Sequence, residues 1–267
     1  MATNGARPGR ALVTGASGGI GAELARVLAT HGHDLVLVAR SEGKLASLAA
    51  ELSGRHGVAA EVVSADLADA AGPRRLADTL RERSLDVHVL VNDAGVGHHG
   101  AFAEDDPHMQ AALLQLNVVS LTQLTRLLLP DMVARRAGWI LNVASTAAFV
   151  PGPFMAVYYA SKAYVLSLSV ALANELSGTG VTVTALCPGP TRTNFGATAG
   201  VAGTRLFRSG VMDADAVARA GYAGMQAGKA IVVPGVRNRL IAGSSGLAPR
   251  TVTARIARAL QDPGDVA

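Results

Sequence analysis

The stretch "MAVYYASKAY", residues 155–164, places three tyrosines and one lysine in an apolar segment. A free tyrosine hydroxyl has a pKa of about 10, and a neighbouring ammonium lowers that pKa because it stabilises the phenolate. Side chains four residues apart share one face of a helix, so Tyr158 and Lys162 can meet in one cleft, and the spacing of three also allows Tyr159. The pattern indicates a proton donor and acceptor, with ordinary core tyrosines as the alternative.

A second pattern, "VTGASGGIGAEL", sets Gly15, Gly19 and Gly21 in a G-x-x-x-G-x-G spacing between an apolar strand and an amphipathic helix. Glycine permits a tight turn and the close approach of a ligand. The free N–H groups and the positive dipole end of the helix suit a pyrophosphate. This context favours a dinucleotide-binding loop, to which Ser17, Gly18 and Ile20 also belong, over a turn without a ligand.

The residues after the second strand bear on the choice of dinucleotide. Sites that bind NAD carry an acidic residue there for the ribose hydroxyls. This chain has Ala39 and then Arg40, with Ser41 and Lys44 close behind. A guanidinium matches a phosphate through a bidentate fork, so the pattern favours NADP(H). The alternative is a solvated surface arginine.

Short apolar strands alternate with helices along the whole chain. We predict strands within residues 10–15, 34–40, 59–67, 87–95, 139–145, 181–190 and 229–235, and helices within 20–32, 42–57, 71–84, 106–138, 156–180 and 213–228. The fold class is therefore α/β, with a doubly wound parallel sheet of about seven strands and helices on both faces. No linker interrupts residues 1–267, which indicates one domain.

Three local features complete this outline. Pro130 should kink or break the long fourth helix, and Asp213 is a suitable N-cap. Residues 190–212 have weak periodicity and should form a mobile substrate loop, or short helices, over the carboxyl ends of the strands. The segment 250–261 is an amphipathic helix, interpreted as a packing or subunit-contact helix rather than as a membrane-adhesion helix.

Composition narrows the classes of partner. The chain is 49% hydrophobic and 16% charged, as globular proteins are. Its net charge is +4, but the arginines are scattered and no basic run occurs, so we expect no nucleic acid. The single cysteine, Cys187, excludes an intrachain disulfide and fits a cytoplasmic protein. We see no signal-peptide segment and no run of about 18 apolar residues, so we expect no membrane span. His98 and His99 lack the companions that a metal site requires.

These motifs resemble the short-chain dehydrogenase/reductase family. The resemblance covers nearly the whole chain and rests on the order and spacing of "TGASGGIG" (14–21), "NDAG" (92–95), "LNVVS" (116–120), "NVAS" (142–145), "YYASK" (158–162) and "CPGPTRT" (187–193). The stretch 207–235 also looks like a branch of NADP-dependent oxidoreductases. The resemblance implies a Rossmann-type fold and interconversion of a carbonyl group and an alcohol.

The resemblance also assigns the tyrosine. The family serine, here Ser145, lies 13 residues before its tyrosine, which selects Tyr158 over Tyr159. Tyr158 is then the acid and base, and Ser145 polarises the same substrate oxygen. Lys162 lowers the pKa of Tyr158 and holds the nicotinamide ribose, and Asn117 binds a water in a proton relay to Lys162.

Further cofactor contacts follow by the same resemblance. Asp66 meets the adenine amino group, with Leu67 beside it. The adenosine ribose is lined by Asn92, Ala94 and Gly95. The nicotinamide carboxamide meets Pro188, Gly189 and Thr193.

One position departs from the family pattern. The family usually has Asn-Asn-Ala-Gly, and this chain has Asp93 as the second residue. An ionised Asp accepts hydrogen bonds but cannot donate them. We therefore expect local structure near the cofactor to be weakened or rewired, without loss of activity.

The residues expected around the substrate are mostly apolar, which favours an apolar or aromatic carbonyl compound, with core packing as the alternative. They are His98, Phe149, Phe154, Met155, Tyr159, Phe195, Leu206 and Phe207. The sequence thus predicts an NADPH-dependent ketone or aldehyde reductase, and the resemblance implies a homodimer or homotetramer that pairs through the long helices before and after the fifth strand. Two alternatives remain: an NAD-linked alcohol or steroid dehydrogenase, and a non-catalytic nucleotide-binding sensor or scaffold.

Overall fold

The computed structural model describes residues 8–208, 210–245 and 248–261. Within these ranges the strands are β1 (Ala11–Thr14), β2 (Leu35–Ala39), β3 (Ala60–Ser64), β4 (Val89–Asn92), β5 (Gly138–Val143), β6 (Val181–Leu186), β7 (Thr191–Arg192), β8 (Met212–Asp213) and β9 (Ile231–Val232). The helices are α1 (Gly19–Thr30), α2 (Glu42–His56), α3 (Gly72–Glu82), α4 (Pro107–Leu114), α5 (Leu121–Ala134), α6 (Ala156–Glu175), α7 (Phe195–Thr198), α8 (Arg205–Arg208), α9 (Ala214–Gln226), α10 (Val236–Ser244) and α11 (Arg250–Gln261).

The main sheet has the strand order β3-β2-β1-β4-β5-β6-β9, and every pairing in it is parallel. The chain therefore moves outward from β1 to β3 and then returns to β4 on the other side of β1. This is the doubly wound, Rossmann-type arrangement that the alternating pattern predicts, and that prediction is confirmed. The remaining strands β7 and β8 form a separate two-stranded sheet.

The sheet is buried on both faces, because successive side chains of a strand point to opposite sides. In β1, Leu12 belongs to the cluster packed against α3, α5 and α6, and Val13 belongs to the cluster packed against α1, α2 and α9. Each of these two side chains is 0% exposed. Continuous apolar strands are what such a sheet requires.

The structure differs from the sequence-based expectations in the connections. The helix is not broken at Pro130, which lies inside α5. Between α4 and α5 the helix widens into a π-helical segment, Gln115–Ser120. Asp213 stands at the N-cap position of α9, but its side chain makes no capping hydrogen bond. Residues 190–212 contain the short elements β7, α7 and α8.

Two helical stretches, Pro107–Ala134 and Ala156–Glu175, are long and apolar enough to cross a membrane by length and composition alone. In the apolar part of each stretch, 33% and 28% of the residues are buried. Both stretches pack on the sheet through contacts of α5 with β5 and of α6 with β5 and β6. Core helices of soluble proteins can have the same length and composition, so these two properties are weak evidence for a membrane span.

Candidate active site

The candidate site forms where β1 and β4 end side by side. The Thr14 hydroxyl donates to the carbonyl of Val91 at 3.2 Å and accepts the N–H groups of Asp93 and Ala94, each at 3.1 Å. Thr14 therefore joins the last turn of backbone after β4 to the start of the glycine loop. The motif analysis did not single out this residue, because its role depends on the pairing of strands far apart in sequence.

The glycine loop is shaped by close contacts of its backbone. Gly15 has a φ of +71°, a left-handed conformation that favours glycine. A methyl group added at Gly21 would lie 2.6 Å from both Asp93 Oδ2 and the carbonyl oxygen of Gly15. Gly18 is extended and faces open space, with nothing within 4 Å of such a methyl group. The loop is therefore tightly packed behind and open in front, where a ligand can approach the N-terminus of α1.

The residues predicted around the 2′-phosphate lie together at the end of β2. Arg40, Ser41 and Lys44 are all exposed there, and Ser41 occupies the N-cap position of α2. Ala39 is the last residue of β2, so no carboxylate stands in the usual ribose-binding place. The first turn of α2 and the two cations can bind a phosphate.

The predicted adenosine contacts divide into two groups. Asp66 is exposed after β3, where its carboxylate accepts the N–H of Ala68 at 2.9 Å, and Leu67 is buried beside it. Ala94 and Gly95 present partly exposed backbone after β4. These four residues border the same end of the sheet as the glycine loop.

The side chain of Asn92 does not take the place predicted for it. Its Nδ2 donates to Asn142 Oδ1 at 2.8 Å and to Thr125 Oγ1 at 3.0 Å, and the residue is 5% exposed. Asn142 in turn donates to Ser169 at 2.9 Å. Buried polar groups require such partners, so the Asn92 amide ties β4 to β5 and α5 instead of facing a ribose.

Ser145 and Tyr158 meet at the carboxyl end of β5. Ser145 follows that strand, and its hydroxyl is close enough to the Tyr158 phenol to lower the pKa of that phenol. Ser145 also accepts the N–H of Ala147 at 3.1 Å and lies 3.4 Å from the carbonyl of Pro188. Tyr158 is buried in the first turn of α6. The structure thus brings together the two hydroxyls that the resemblance paired.

Lys162 lies one turn after Tyr158 and is 7% exposed. Its Nζ donates to the carbonyl of Val143 at 2.8 Å and stands 5.8 Å from the centre of the Tyr158 ring. Burial lowers the pKa of Lys162 to about 8, against the opposing charge of Asp93. The hydrogen bond to Val143 thus fixes the amine of Lys162 close to the Tyr158 ring.

Asn117 lies in the π-helical segment. Its amide pairs with both backbone groups of Val96, each at 2.9 Å, and donates to Ser161 at 3.2 Å. Ser161 donates to the carbonyl of Tyr158 at 2.7 Å. π-Helical turns are frequent at functional sites, and this one fixes the loop after β4 against the helix that carries Tyr158.

The expected lowering of the Tyr158 pKa by Lys162 is not found in this structure. Burial raises the pKa of the phenol well above its usual value, the Ser145 hydrogen bond opposes this, and Tyr159 and Asp93 add to the rise. Desolvation disfavours the charged phenolate, and here it outweighs the opposing effect of Ser145. The phenol is therefore held protonated at neutral pH.

Half of the predicted pocket residues belong to one apolar cluster. Its buried members include Met155, just before α6, and Tyr158 and Tyr159 on α6, and Phe195 and Phe207 pack against it. The rings of Tyr158 and Phe195 are 5.3 Å apart. Phe149 is an exception, because it packs in a different cluster with Leu121, Ala144 and Cys187 on the far side of the 3₁₀ turn Thr146–Phe149. Leu206 lies on α8, partly buried.

The last helix also reaches the pocket, which the sequence analysis missed. Gln261 is 1% exposed, and its Nε2 donates to the Tyr159 hydroxyl at 2.5 Å. Its backbone carbonyl lies 3.0 Å from His99 Nε2. The guanidinium of Arg258 stacks 5.1 Å from the centre of the Phe154 ring, and Phe154 has a φ of +65°. Contacts across 102 residues of sequence leave no local pattern to find.

His98 lies in the loop after β4 and contacts Asp105. Its Nε2 lies 2.6 Å from Asp105 Oδ1, and the other carboxylate oxygen, Oδ2, accepts a hydrogen bond from Gln110 Nε2 at 2.9 Å. Among the residues that the structure describes, no group of three or more His, Cys, Asp or Glu side chains could hold a metal ion.

Comparisons with known proteins match this geometry. A family model described as short chain dehydrogenase matches residues 10–201. A short-chain dehydrogenase from Sphingobium yanoikuyae, solved in complex with NADPH, is 36% identical, with a TM-score of 0.80 over 90% of this chain and 94% of that chain. A bulky-bulky ketone specific alcohol dehydrogenase from Comamonas testosteroni is 32% identical, with a TM-score of 0.77 over 91% of this chain and 94% of that chain.

A curated relative is named as the reductase of a different kind of carbonyl compound. The very-long-chain 3-oxoacyl-CoA reductase of Phaeosphaeria nodorum is 38% identical over 182 residues, which are 65% of this chain and 52% of that protein. The chain thus spans about half the length of this relative.

The packing of the glycine loop gives a test of its own. We expect Gly21→Ala to lower the free energy of unfolding by about 1–3 kcal/mol, because the added methyl group forces the loop away from Asp93. The matched control is Gly18→Ala, whose methyl group meets nothing within 4 Å, and whose unfolding should be unchanged. Urea unfolding at pH 7 measures both. An equal loss in the two variants would contradict this description of the loop.

Proposed function

Because the chain belongs to the short-chain dehydrogenase family, we propose that it is an NADPH-dependent carbonyl reductase. It reduces a ketone or an aldehyde to an alcohol and catalyses the reverse oxidation under the opposite conditions. The observation that carries this proposal is the placement of the Ser145 hydroxyl beside the Tyr158 phenol, with the Lys162 ammonium 5.8 Å from the centre of the Tyr158 ring.

The chain contributes the proton and the position of the substrate. When bound, NADPH supplies the hydride. The Tyr158 phenol, held protonated by burial, donates its proton to the carbonyl oxygen as that oxygen gains negative charge. Ser145 donates a hydrogen bond to the same oxygen. In the reverse direction Tyr158 accepts the proton of the alcohol.

Lys162 and Asn117 support that step. The ammonium of Lys162, oriented by the Val143 carbonyl, stabilises the phenolate left after proton transfer and holds the nicotinamide ribose hydroxyls. Asn117 keeps Val96 and Ser161 in place beside Tyr158 and binds the water of the proton relay to Lys162.

The preference for NADPH rests on the end of β2. Arg40, Ser41 and Lys44 bind the 2′-phosphate there, and Ala39 leaves no carboxylate to repel it. The pyrophosphate lies at the glycine loop, formed by Gly15, Ser17, Gly18, Gly19, Ile20 and Gly21. Asp66 and Leu67 contact the adenine, Ala94 and Gly95 the ribose, and Pro188, Gly189 and Thr193 the carboxamide. The NADPH complex of the Sphingobium relative supports this assignment.

The substrate is proposed to be an apolar ketone. Met155, Tyr159, Phe195 and Phe207 form an apolar wall next to Tyr158, with His98, Phe154 and Leu206 at the rim. The bulky-ketone specificity named for the Comamonas relative agrees with such a wall. A 3-oxoacyl thioester is the second candidate, favoured by the reductase relative.

We also propose that the enzyme is a cytoplasmic homodimer or homotetramer that pairs through α5 and α6. The exposed apolar side chains on this face include Val119, Tyr164 and Val170, between 37% and 40% exposed. Tyr164 also contacts Thr122 of α5 at 3.0 Å. Burial of this face against a second copy accounts for two helices that are apolar and yet largely uncovered.

The first test concerns the tyrosine. Tyr158→Phe should lower kcat about 10²- to 10⁴-fold, because it removes the proton donor, while NADPH still binds. Tyr159→Phe, the matched control, should stay within about tenfold, because it loses only the hydrogen bond from Gln261. The measurement is NADPH consumption with aryl ketones, keto esters, diketones, aldehydes and a 3-oxoacyl thioester. Activity that survives in Tyr158→Phe and disappears in Tyr159→Phe would reverse the assignment. Binding of NADPH without turnover of any substrate would favour the sensor or scaffold alternative.

The second test concerns Arg40. Arg40→Ala should weaken NADPH binding about 10- to 100-fold, since hydrogen bonds to charged groups contribute about 1.5–3 kcal/mol and each 1.4 kcal/mol is about tenfold. NADH binding should not change. Arg55→Ala, further along α2 and exposed, is the control for loss of charge. Tighter binding of NADH than of NADPH by the parent protein would support the NAD-linked alternative instead.

The third test concerns assembly. Val170→Glu places a charge in the proposed interface and should shift the protein toward monomers in size-exclusion chromatography with light scattering. Ala46→Glu, on the exposed face of α2, is the control and should leave the mass unchanged. A monomeric parent protein would exclude pairing through this face.

A further inference from the structure

Asp93 introduces an acid where the cofactor site has no evident use for one. It follows β4, and its Oδ2 lies 2.6 Å from a methyl group built at Gly21 in the first turn of α1, whose N–H lowers the pKa of the carboxyl group. The same oxygen lies against Gly15, at 3.0 Å from a methyl group built there. The carboxyl group therefore sits directly behind the glycine loop, on N–H groups that attract anions.

The surroundings of this carboxyl group contain one cation among the described residues that interact with it. The β1–α1 loop contributes Gly15 and Gly21, which have no titratable side chain. From α6 come Lys162, whose ammonium attracts the carboxylate, and Tyr158, whose pKa the carboxylate raises. Cys187, after β6, interacts with Lys162, and burial raises the pKa of its thiol to about 12. Asp93 and Lys162 are thus the two groups that can change charge near neutral pH.

Desolvation brings the pKa of Asp93 close to neutral pH. Burial raises the pKa of its carboxyl group to about 7, although Lys162 and the Gly21 N–H both act to lower it. A second anion at the N-terminus of α1 would compete for the same dipole and N–H groups. The negative charges of a pyrophosphate would then disfavour the carboxylate further and raise its pKa in the complex.

We propose that Asp93 is a positioning residue that takes up a proton when the dinucleotide binds at the glycine loop. The inference rests on the proposed function, because it requires NADPH to occupy that loop. Protonation removes the repulsion behind the pyrophosphate and keeps the loop anchored through the remaining acceptor oxygen. It also removes the negative charge that raises the pKa of Tyr158. Cofactor binding therefore makes Tyr158 a stronger proton donor.

The sign of the pH dependence follows from linkage. The carboxyl group has a higher pKa with the dinucleotide than without it. Affinity is then greatest below the pKa of the free protein, about 7, and falls as the pH rises above that value, by at most about tenfold per pH unit for one proton. An amide at this position cannot titrate and removes this contribution.

The experiment is calorimetry of NADPH binding at pH 7.5 in two buffers of different ionisation enthalpy. The parent protein should take up more protons than Asp93→Asn, by up to about three quarters of a proton because a group with a pKa of about 7 is already partly protonated at pH 7.5, and the affinity of Asp93→Asn should fall less steeply between about pH 7 and 8. Taking the difference between the two proteins cancels the titration of the 2′-phosphate itself. Asp78→Asn, a half-exposed acid on α3, is the control and should match the parent protein.

The outcomes separate the two levels of the argument. Equal proton uptake by the parent protein and Asp93→Asn, with NADPH bound by both, overturns the role of Asp93 and leaves the reductase proposal intact. Absence of NADPH binding by the well-folded parent protein overturns the proposed function as well. If Asp93→Asn does not fold, the parent protein alone decides, because uptake no greater than that of the 2′-phosphate contradicts the inference.

Discussion

The split between β1 and β4 is the constraint on which the candidate site depends. The chain leaves β1 toward one edge of the sheet and leaves β4 toward the other, so the connections diverge and open a crevice at the carboxyl ends. One hydroxyl, that of Thr14, bonds to backbone groups of Val91, Asp93 and Ala94 and closes the floor of this crevice. The glycine loop, the loop after β4 and the first turn of α6 all take their positions from this floor.

Burial acts in opposite directions on the two chemical groups that the site needs. It disfavours the ammonium of Lys162 and the phenolate of Tyr158, so it lowers one pKa and raises the other. Left alone, a desolvated pair of this kind would tend to be neutral. The Val143 carbonyl and Asp93 stabilise the ammonium, and the Ser145 hydrogen bond moderates the rise in the Tyr158 pKa. The Asp93 carboxylate therefore stabilises the Lys162 ammonium and destabilises the Tyr158 phenolate. A proton on Asp93 would weaken both effects.

The central strands of the main sheet were predictable because β1, β2 and β4 are continuous apolar runs, which a sheet buried on both faces requires. The pairing of Ser145 with Tyr158 was predictable only through the family resemblance. The strands β7 and β8 have two residues each, too few for any period. Helix α10 has no buried residue, so no apolar face marks it in the sequence. Asn92 was misplaced because its partners, Asn142 and Thr125, become neighbours only when β4, β5 and α5 assemble.

The reaction and its selectivity are built from different parts of the chain. Ser145, Tyr158 and Lys162 are fixed by β5 and by the buried face of α6. The opposite wall of the pocket depends on Gln261, whose amide binds Tyr159 and whose carbonyl meets His99. The wall thus combines the apolar cluster of Met155, Tyr159 and Phe195 with polar contacts to the last helix. The proposed choice of ketone therefore depends on contacts with the last helix, whereas the proposed chemistry depends on β5 and the first turns of α6.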